Sequence, residues 1–249
     1  VVTATIATTE TVTELATLSA DGGTNALTIV IRAADATAAT AAQLNAINDA
    51  TSVAVDLTNV TALAASSLSD LGTLATAITN NEFSNDTGLT TIAVSDTTVD
   101  ATTLATRIDS YDTVNGSNTT DMTLASGATI NVDADEITHM LADETAGRLT
   151  ISDQKITVNN AGTITVDTAN LLMATTTGVV TATIVSTETL TELGTLTDGV
   201  GQTNNLTITI RAADATSGTA ADLNAINSVT SIAVDLTNVT ALAASSQSD

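Results

Sequence analysis

The residues most able to do chemistry lie in the middle of the chain, around its single histidine. His139 stands in the run ADEITHMLADE, where a helix would bring Asp135, Glu136 and Asp143 within about one turn of it. Glu-x-x-His is a ligand pattern of di-metal sites in helix bundles, but such sites draw on several helices. The chain has no second histidine to complete one. The sequence therefore predicts a solvated, acidic helix face that carries one histidine.

Oxygen ligands for calcium are more plentiful than ligands for other metals. The loop-like stretch DSYDTVNGSNTTD, residues 109–121, combines carboxylates with amides. Hard oxygen donors suit Ca²⁺, although this spacing matches neither an EF-hand loop nor a glycine-rich nonapeptide repeat. The alternative is a polar turn in which Asn and Gly supply positive φ. The candidate calcium ligands are Asp109, Asp112, Asn115, Asn118 and Asp121.

Catalysis has little support in the sequence. A Ser–His–Asp arrangement could use only His139, and the G-x-S-x-G motif is absent. Paired carboxylates could be drawn from many aspartates, but no pair stands out. The aromatic side chains usual in carbohydrate sites are limited to one Phe and one Tyr. We predict that the chain is not an enzyme, with no catalytic residues and no cofactor other than calcium.

Two arginine–aspartate pairs occupy equivalent places. Arg32 and Arg211 each end a predicted strand, and an aspartate follows three positions later, at Asp35 and Asp214. We predict a local ion pair at each of these strand–helix junctions.

Short strand-like runs alternate with helix-like patterns along the chain. Between the runs the apolar period changes from two to about 3.6 residues. Residues 147–167 depart from this alternation, and their three short strands predict a local hairpin or a coil built of β-strands only. The predicted strands are 1–6, 27–32, 52–57, 90–95, 128–132, 149–152, 155–158, 163–167, 179–184, 206–211 and 231–236.

The predicted helices begin at capping boxes and carry one apolar stripe each. In a capping box, the side chain of the cap residue accepts from the backbone amide three residues later. The side chain of that later residue accepts from the backbone amide of the cap residue. The apolar stripes include Leu15, Leu44, Ile108 and Ile137, and the longest runs over 60–78. The predicted boxes are Thr11 with Glu14, Thr40 with Gln43, Asp133 with Glu136, and Thr189 with Glu192.

The beginning of the chain returns, nearly unchanged, at its end. VVTATIATTETVTEL at 1–15 reappears as VVTATIVSTETLTEL at 179–193, and IRAADAT at 31–37 reappears at 210–216. We therefore divide the chain into one full repeat period, 1–178, and the first part of the next period, 179–249. Repetition on this scale is typical of structural repeat proteins.

The alternating elements predict an α/β fold. Strands joined by helices should be parallel, with right-handed crossovers. The threonine-rich chain has no Pro, Cys or Trp, so its core must come from Ala, Val, Leu and Ile, which need close and regular packing. We predict a repeat solenoid of stacked strand–helix coils, with a parallel β-sheet on one side and helices on the other. A β-solenoid with short helices is the alternative.

The charge balance restricts the partners. The chain has 28 acidic and five basic residues, a formal net charge of −23. Without a basic patch it cannot neutralise phosphates, so nucleic acid and anionic membrane surfaces are excluded. No apolar run is long enough to insert in a membrane. Such a charge suits a saline medium, and the N-x-[ST] triplets leave glycan decoration open.

Two segments resemble a known group of proteins. TAADLNAIN at 219–227 and TSVAVDLTNVTAL at 51–63 are similar to repeats of giant cell-surface and extracellular proteins of marine cyanobacteria, a group that includes a giant surface protein associated with swimming. The similarity covers about 35–70 and 214–249. It implies a secreted or surface-attached filamentous protein with no catalytic residues to transfer.

These observations favour a structural segment of a long secreted protein that self-associates into an extracellular fibre, stalk or cell-surface coat. A calcium-dependent adhesin, whose acidic loops hold ions and present a binding surface, is the alternative.

Overall fold

The structure is a computed structural model that describes residues 1–19, 25–116, 120–159, 162–198 and 203–244. In these ranges the chain is mixed α/β. The helices are α1 (Val12–Leu15), α2 (Ala41–Asp49), α3 (Leu68–Thr79), α4 (Ala101–Asn115), α5 (Ile137–Thr145), α6 (Val166–Thr175), α7 (Leu190–Leu193) and α8 (Ala220–Ser228), with 3₁₀ turns at Ala33–Asp35 and Ala212–Asp214. The strands are β1 (Thr3–Thr5), β2 (Ala26–Thr28), β3 (Val55–Asp56), β4 (Ala62–Ser66), β5 (Phe83–Ser84), β6 (Thr91–Val94), β7 (Thr98–Asp100), β8 (Asp121–Leu124), β9 (Thr129–Val132), β10 (Leu149–Thr150), β11 (Lys155–Val158), β12 (Thr163–Ile164), β13 (Val180–Ile184) and β14 (Asn205–Thr207).

The strand ladders described by the structure are parallel throughout. Ile92 of β6, for example, pairs with Leu63 of β4 and with Met122 of β8. Paired residues in most ladders lie between 23 and 31 positions apart, which is the length of chain that a parallel crossover with a helix needs. The prediction of an α/β fold with parallel strands is confirmed.

The chain forms two compact units that are interleaved in sequence. The first comprises Val1–Thr97, Thr102–Ala125 and His139–Thr150, and it holds the sheets β1–β2, β3–β5 and β4–β6–β8–β10. The second comprises the remaining residues and holds β7–β9–β11–β13, with β12 and β14 also paired to β13. The unit boundaries differ from the repeat boundary at 178/179, which is a feature of the sequence.

The core is built from aliphatic side chains, as the composition requires. Leu44 and Ile47 of α2 and Leu71 and Leu74 of α3 are fully buried where these two helices pack together. The single tyrosine, Tyr111 on α4, is also fully buried, and its hydroxyl donates to the Leu71 carbonyl at 3.1 Å. Its hydroxyl therefore has a hydrogen-bond acceptor inside the core.

The long apolar stripe over 60–78 was predicted as one helical face, and this was wrong. Its first part forms β4, and α3 begins only at Leu68, after the Ser67 hydroxyl accepts from the Asp70 amide at 3.1 Å. The run from Ala62 has parallel backbone partners in β6. Its apolar residues fit either period, so the pairing strand decided the outcome.

The prediction for residues 147–167 was correct in part. Their described residues contain three strands with no helix between them, but the hairpin is wrong because all three strands pair in parallel with other segments. Helix α6 begins at Val166, inside the strand predicted over 163–167, and its cap at Thr165 was not predicted.

Other boundaries also differ from the predicted ones. Helix α5 begins at Ile137, because Asp133–Glu136 forms a turn with Glu136 N donating to Asp133 O at 3.0 Å. Strands β5, β7 and β8 were not predicted, and the strand predicted over 231–236 is reduced to an isolated bridge at Asp235. The capping boxes at Thr11, Thr40 and Thr189 are confirmed.

Candidate functional site

The predicted calcium ligands do not lie in one loop, which corrects that part of the prediction. Asp109, Asp112 and Asn115 are on α4, and Asp121 begins β8. The stretch was expected to be irregular because of its polar residues, but Leu104, Ile108 and Tyr111 give α4 a buried face. Asn118 lies outside the described residues.

Three carboxylates converge on the Arg148 guanidinium, and we call this group the Arg148 cluster. Arg148 Nη1 lies 3.1 Å from Asp112 Oδ2 and 3.4 Å from Asp109 Oδ1, and Arg148 Nη2 contacts Asp143. Asp112 and Asp143 are buried, whereas Asp109 is exposed. A cation therefore already accompanies two of the predicted calcium ligands, and this cation is an arginine.

The other predicted ligands have separate partners. Asn115 donates to the Leu89 carbonyl at 2.6 Å and to Thr120 Oγ1 at 2.8 Å, and Asp121 accepts from Thr150 Oγ1 at 2.9 Å. These bonds fasten the end of α4 and the start of β8. Across the described ranges, no group of three or more His, Cys, Asp or Glu side chains is arranged to hold a metal ion.

His139 lies at the edge of the Arg148 cluster. Its Nε2 is 3.9 Å from Asp143 Oδ1, at the spacing of one helical turn on α5. Burial raises the pKa of the Asp143 carboxyl above its ordinary value, although the charges of Arg148 and His139 oppose the rise. The cluster can fix the end of α5 against α4 by charge-assisted hydrogen bonds.

The two predicted arginine–aspartate ion pairs are confirmed, and each does more than predicted. Arg32 bonds Asp35 with two nitrogens, at 2.9 and 3.1 Å, and its third nitrogen donates to the Thr9 carbonyl at 3.0 Å. Arg211 repeats this with Asp214 and the Thr187 carbonyl. Each arginine therefore reaches back to the preceding stretch of chain.

The same aspartates also cap a helix that comes earlier in the chain. Asp35 Oδ2 accepts from Val12 N at 2.7 Å, the first amide of α1, and Asp214 Oδ2 accepts from Leu190 N at 3.1 Å, the first amide of α7. A first-turn amide has no partner inside its own helix, so a carboxylate there is favourable. The bidentate bond from arginine lowers the pKa of both Asp35 and Asp214.

This remote capping recurs in other helices. We use the name remote cap for a side chain that accepts from the first amide of a helix 22 to 28 positions earlier. Besides the two aspartates, the remote caps are Ser66 on α2 (2.9 Å), Asp96 on α3 (2.7 Å) and Glu188 on α6 (3.2 Å). The spacing of residues within single elements did not predict them. A signal was present, because the first residue of each of these five helices is followed 22 to 28 positions later by Asp, Glu or Ser.

Asparagine and threonine side chains join neighbouring segments in the same way. Thr51 Oγ1 accepts from Leu27 N and donates to Leu27 O, and Thr230 bonds Leu206 identically. Asn59 donates to the Ile31 carbonyl at 2.7 Å. Asn59 belongs to an N-x-[ST] triplet, so at least one predicted glycan acceptor has a role inside the fold.

The groove between α2 and α3 has a volume of about 330 Å³. Asn45, Asn48, Thr73, Asn80 and Glu82 are among the residues that line it. The Asn48 amide donates to Glu82 at 2.6 Å across this groove.

In the part of the chain that the structure describes, no helix is both long and apolar enough to cross a membrane.

Comparison with known proteins adds no functional information. A scan against protein-family models, a search of curated proteins and a search of solved structures each found no match to this chain.

Proposed function

We propose that this chain is a structural segment of a long secreted repeat protein that forms an extracellular fibre, stalk or cell-surface coat. We call each strand–helix segment a coil. In this role, the contacts between successive coils hold the segment together. In this proposal the coils stack as an α/β solenoid, with parallel strands on one side and helices on the other.

One observation carries the proposal: the repeated sequence adopts the same local structure in both places. Ala4 pairs with Leu27, and its copy Ala182 pairs with Leu206. Val2 N donates to Asn25 Oδ1 at 3.0 Å, and Val180 N donates to Asn204 Oδ1 at 2.9 Å. A fold that returns to the same register can be extended by further periods without a new kind of contact.

The pairing of β13, which is the internal copy of β1, supports continuous stacking. Strand β13 pairs with β11 and β12 along one edge and with β14 along the other. Its coil therefore has a neighbour on both sides, as every inner coil of a solenoid must. The acidic composition and the resemblance to giant surface proteins support the extracellular location.

The calcium-dependent adhesin has less support. Two of its expected ligands bond Arg148, and Asn115 and Asp121 have protein partners. The carboxylates that a hard cation would need are therefore already engaged in the fold.

Antibodies against this chain test the location and the assembly together. On intact cells of the native source, we expect gold-labelled antibody to decorate surface material or extracellular fibres in electron micrographs. Six or seven coils per 178-residue period, each advancing about 4.8 Å, predict an axial repeat of roughly 30 Å. An antibody to a cytoplasmic protein serves as the control and should label only permeabilised cells. Labelling of this chain only after permeabilisation would overturn the proposal.

A further inference from the structure

We infer that the outer edge of the first coil is a docking surface for a coil with the sequence of residues 151–178, supplied by a preceding copy of the 1–178 period. We call this surface the N-terminal edge and define it by Val2, Ala4, Ile6, Glu10 and Thr17. The inference deepens the proposed function, on which it rests, by naming the surface and its occupant.

The apolar half of the N-terminal edge is exposed, whereas its internal copy is covered. Within the described residues β1 pairs only with β2, and Val2 is 59% exposed. Its copy Val180 pairs with Ile156 of β11 and is 0% exposed. Ala4 is likewise exposed, and its copy Ala182 is buried. The two side chains are thus exposed in the first coil and buried in its internal copy.

The polar half carries the groups that hold the covering coil in the internal copy. Glu188 Oε1 accepts from Val166 N at 3.2 Å and so caps α6. Asn170 on α6 donates to the Thr195 carbonyl at 3.0 Å. Glu10 and Thr17 are the copies of Glu188 and Thr195 in the first coil. The N-terminal edge therefore repeats both the acceptor for a helix cap and the carbonyl for an asparagine.

The edge is already in its binding conformation. Glu10 N donates to Ala7 O at 3.3 Å, and Glu188 N donates to Val185 O at the same distance. The capping boxes of α1 and α7 are also identical in type. Docking would therefore order few additional groups, which lowers its entropic cost.

The chain itself identifies the occupant. The edge of β13 is covered by β11, β12 and α6, all within residues 151–178. That coil joins β13 through Gly178, where an added Cβ would lie 2.2 Å from the Gln154 carbonyl oxygen. A tandem copy that joins Gly178 to Val1 recreates this glycine-dependent junction, because Val1 is the copy of Val179.

A tandem protein, residues 1–178 followed by 1–249, tests the docking. The substitution Val2→Asp is made either in the leading copy or in the second copy, at the new joint. We expect the leading substitution to leave the urea midpoint unchanged and the joint substitution to lower it. In the 249-residue chain, Val180→Asp should lower the midpoint and Val2→Asp should not, which gives a matched pair of controls.

A milder pair of variants guards against misfolding at the joint. Glu10→Ala removes only the acceptor for the helix cap, so at the joint it should lower the midpoint by a smaller amount, and in the leading copy it should have no effect. Equal effects of each substitution in the two copies would overturn the docking surface. Failure to find fibres on native cells, with the copy-dependent effects intact, would instead overturn the proposed function and leave the docking in place.

Discussion

Asp35 holds together three groups that are separated in the sequence. It binds the Arg32 guanidinium through two oxygens and accepts from Val12 N, and Arg32 in turn reaches the Thr9 carbonyl. Sequence spacing was enough to predict the local ion pair with Arg32. It did not indicate the bond to Val12, which joins residues 23 positions apart and depends on the tertiary structure.

Replacing Asp35 by Asn should show how much its negative charge stabilises the fold. For Asp35→Asn at neutral pH, we expect the free energy of unfolding to fall by about 1.5–3 kcal/mol, the usual range for a hydrogen bond to a charged group. The pKa of Asp35 is lowered from its ordinary 3.8, so the ionised form stabilises the fold. That stabilisation is present above the ordinary pKa and is lost as the pH falls through the lowered folded value.

Urea denaturation at several pH values measures this effect. The difference in unfolding free energy between the wild type and Asp35→Asn should shrink as the pH falls below the lowered pKa of Asp35. Asp49→Asn makes the same change of charge at an exposed site and should alter stability little. A wild-type–variant difference that stays constant with pH would contradict the role given to the carboxylate.

Two glycines provide a second comparison of single residues. Gly178→Ala would place a Cβ 2.2 Å from the Gln154 carbonyl oxygen, so we expect destabilisation by about 1–3 kcal/mol. Gly194→Ala should stabilise by about 0.4–1 kcal/mol, because its backbone (φ −66°, ψ −10°) matches that of its copy Ala16 (φ −67°, ψ −8°). Thermal melting of the two variants measures both effects, and a stable Gly178→Ala would refute the close approach.

At the scale of elements, apolar spacing predicted helices better than strands. Helices α2 and α4 follow stripes of fully buried residues such as Leu44 and Ile108. Strand β4 was missed because its residues continue the stripe of α3, and only its pairing with β6 distinguishes the two periods. A strand of three to five residues has too few side chains to specify itself without its neighbour.

The copies of one helix allow the contribution of a neighbouring coil to be measured. Leu44 on α2 is fully buried beside α3, whereas its copy Leu223 on α8 is partly exposed. We expect Leu44→Ala to cost about 2–5 kcal/mol and Leu223→Ala clearly less. Urea denaturation of both variants measures the difference, and equal losses would show that the neighbouring coil contributes little to the core.

For the whole molecule, a net charge of −23 predicts repulsion between its many carboxylates. Raising NaCl from about 10 mM to about 1 M shortens the screening length from about 30 Å to about 3 Å. We therefore expect the melting temperature to rise with salt. Loss of stability with salt would mean that the few ion pairs outweigh the repulsion.

Calcium chloride at matched ionic strength separates screening from specific binding. We expect Ca²⁺ to raise the melting temperature no more than NaCl does, because the Arg148 cluster already neutralises part of its carboxylate charge. An additional rise that EDTA reverses and Asp112→Asn abolishes would restore the calcium-dependent alternative.

The sequence by itself determined the α/β class, the parallel strands, three capping boxes, the arginine–aspartate pairs and the repeat of the first 70 residues. These features are either local in the sequence or present in both copies of the repeat, so the spacing of residues is enough to predict them. Only the tertiary structure decided that Asp109 and Asp112 face Arg148, that β4 is a strand, and that Asp35, Ser66 and Glu188 cap helices of an earlier coil. Each of these depends on residues more than 20 positions apart, whose contact is fixed by the parallel pairing of distant segments and not by local propensity.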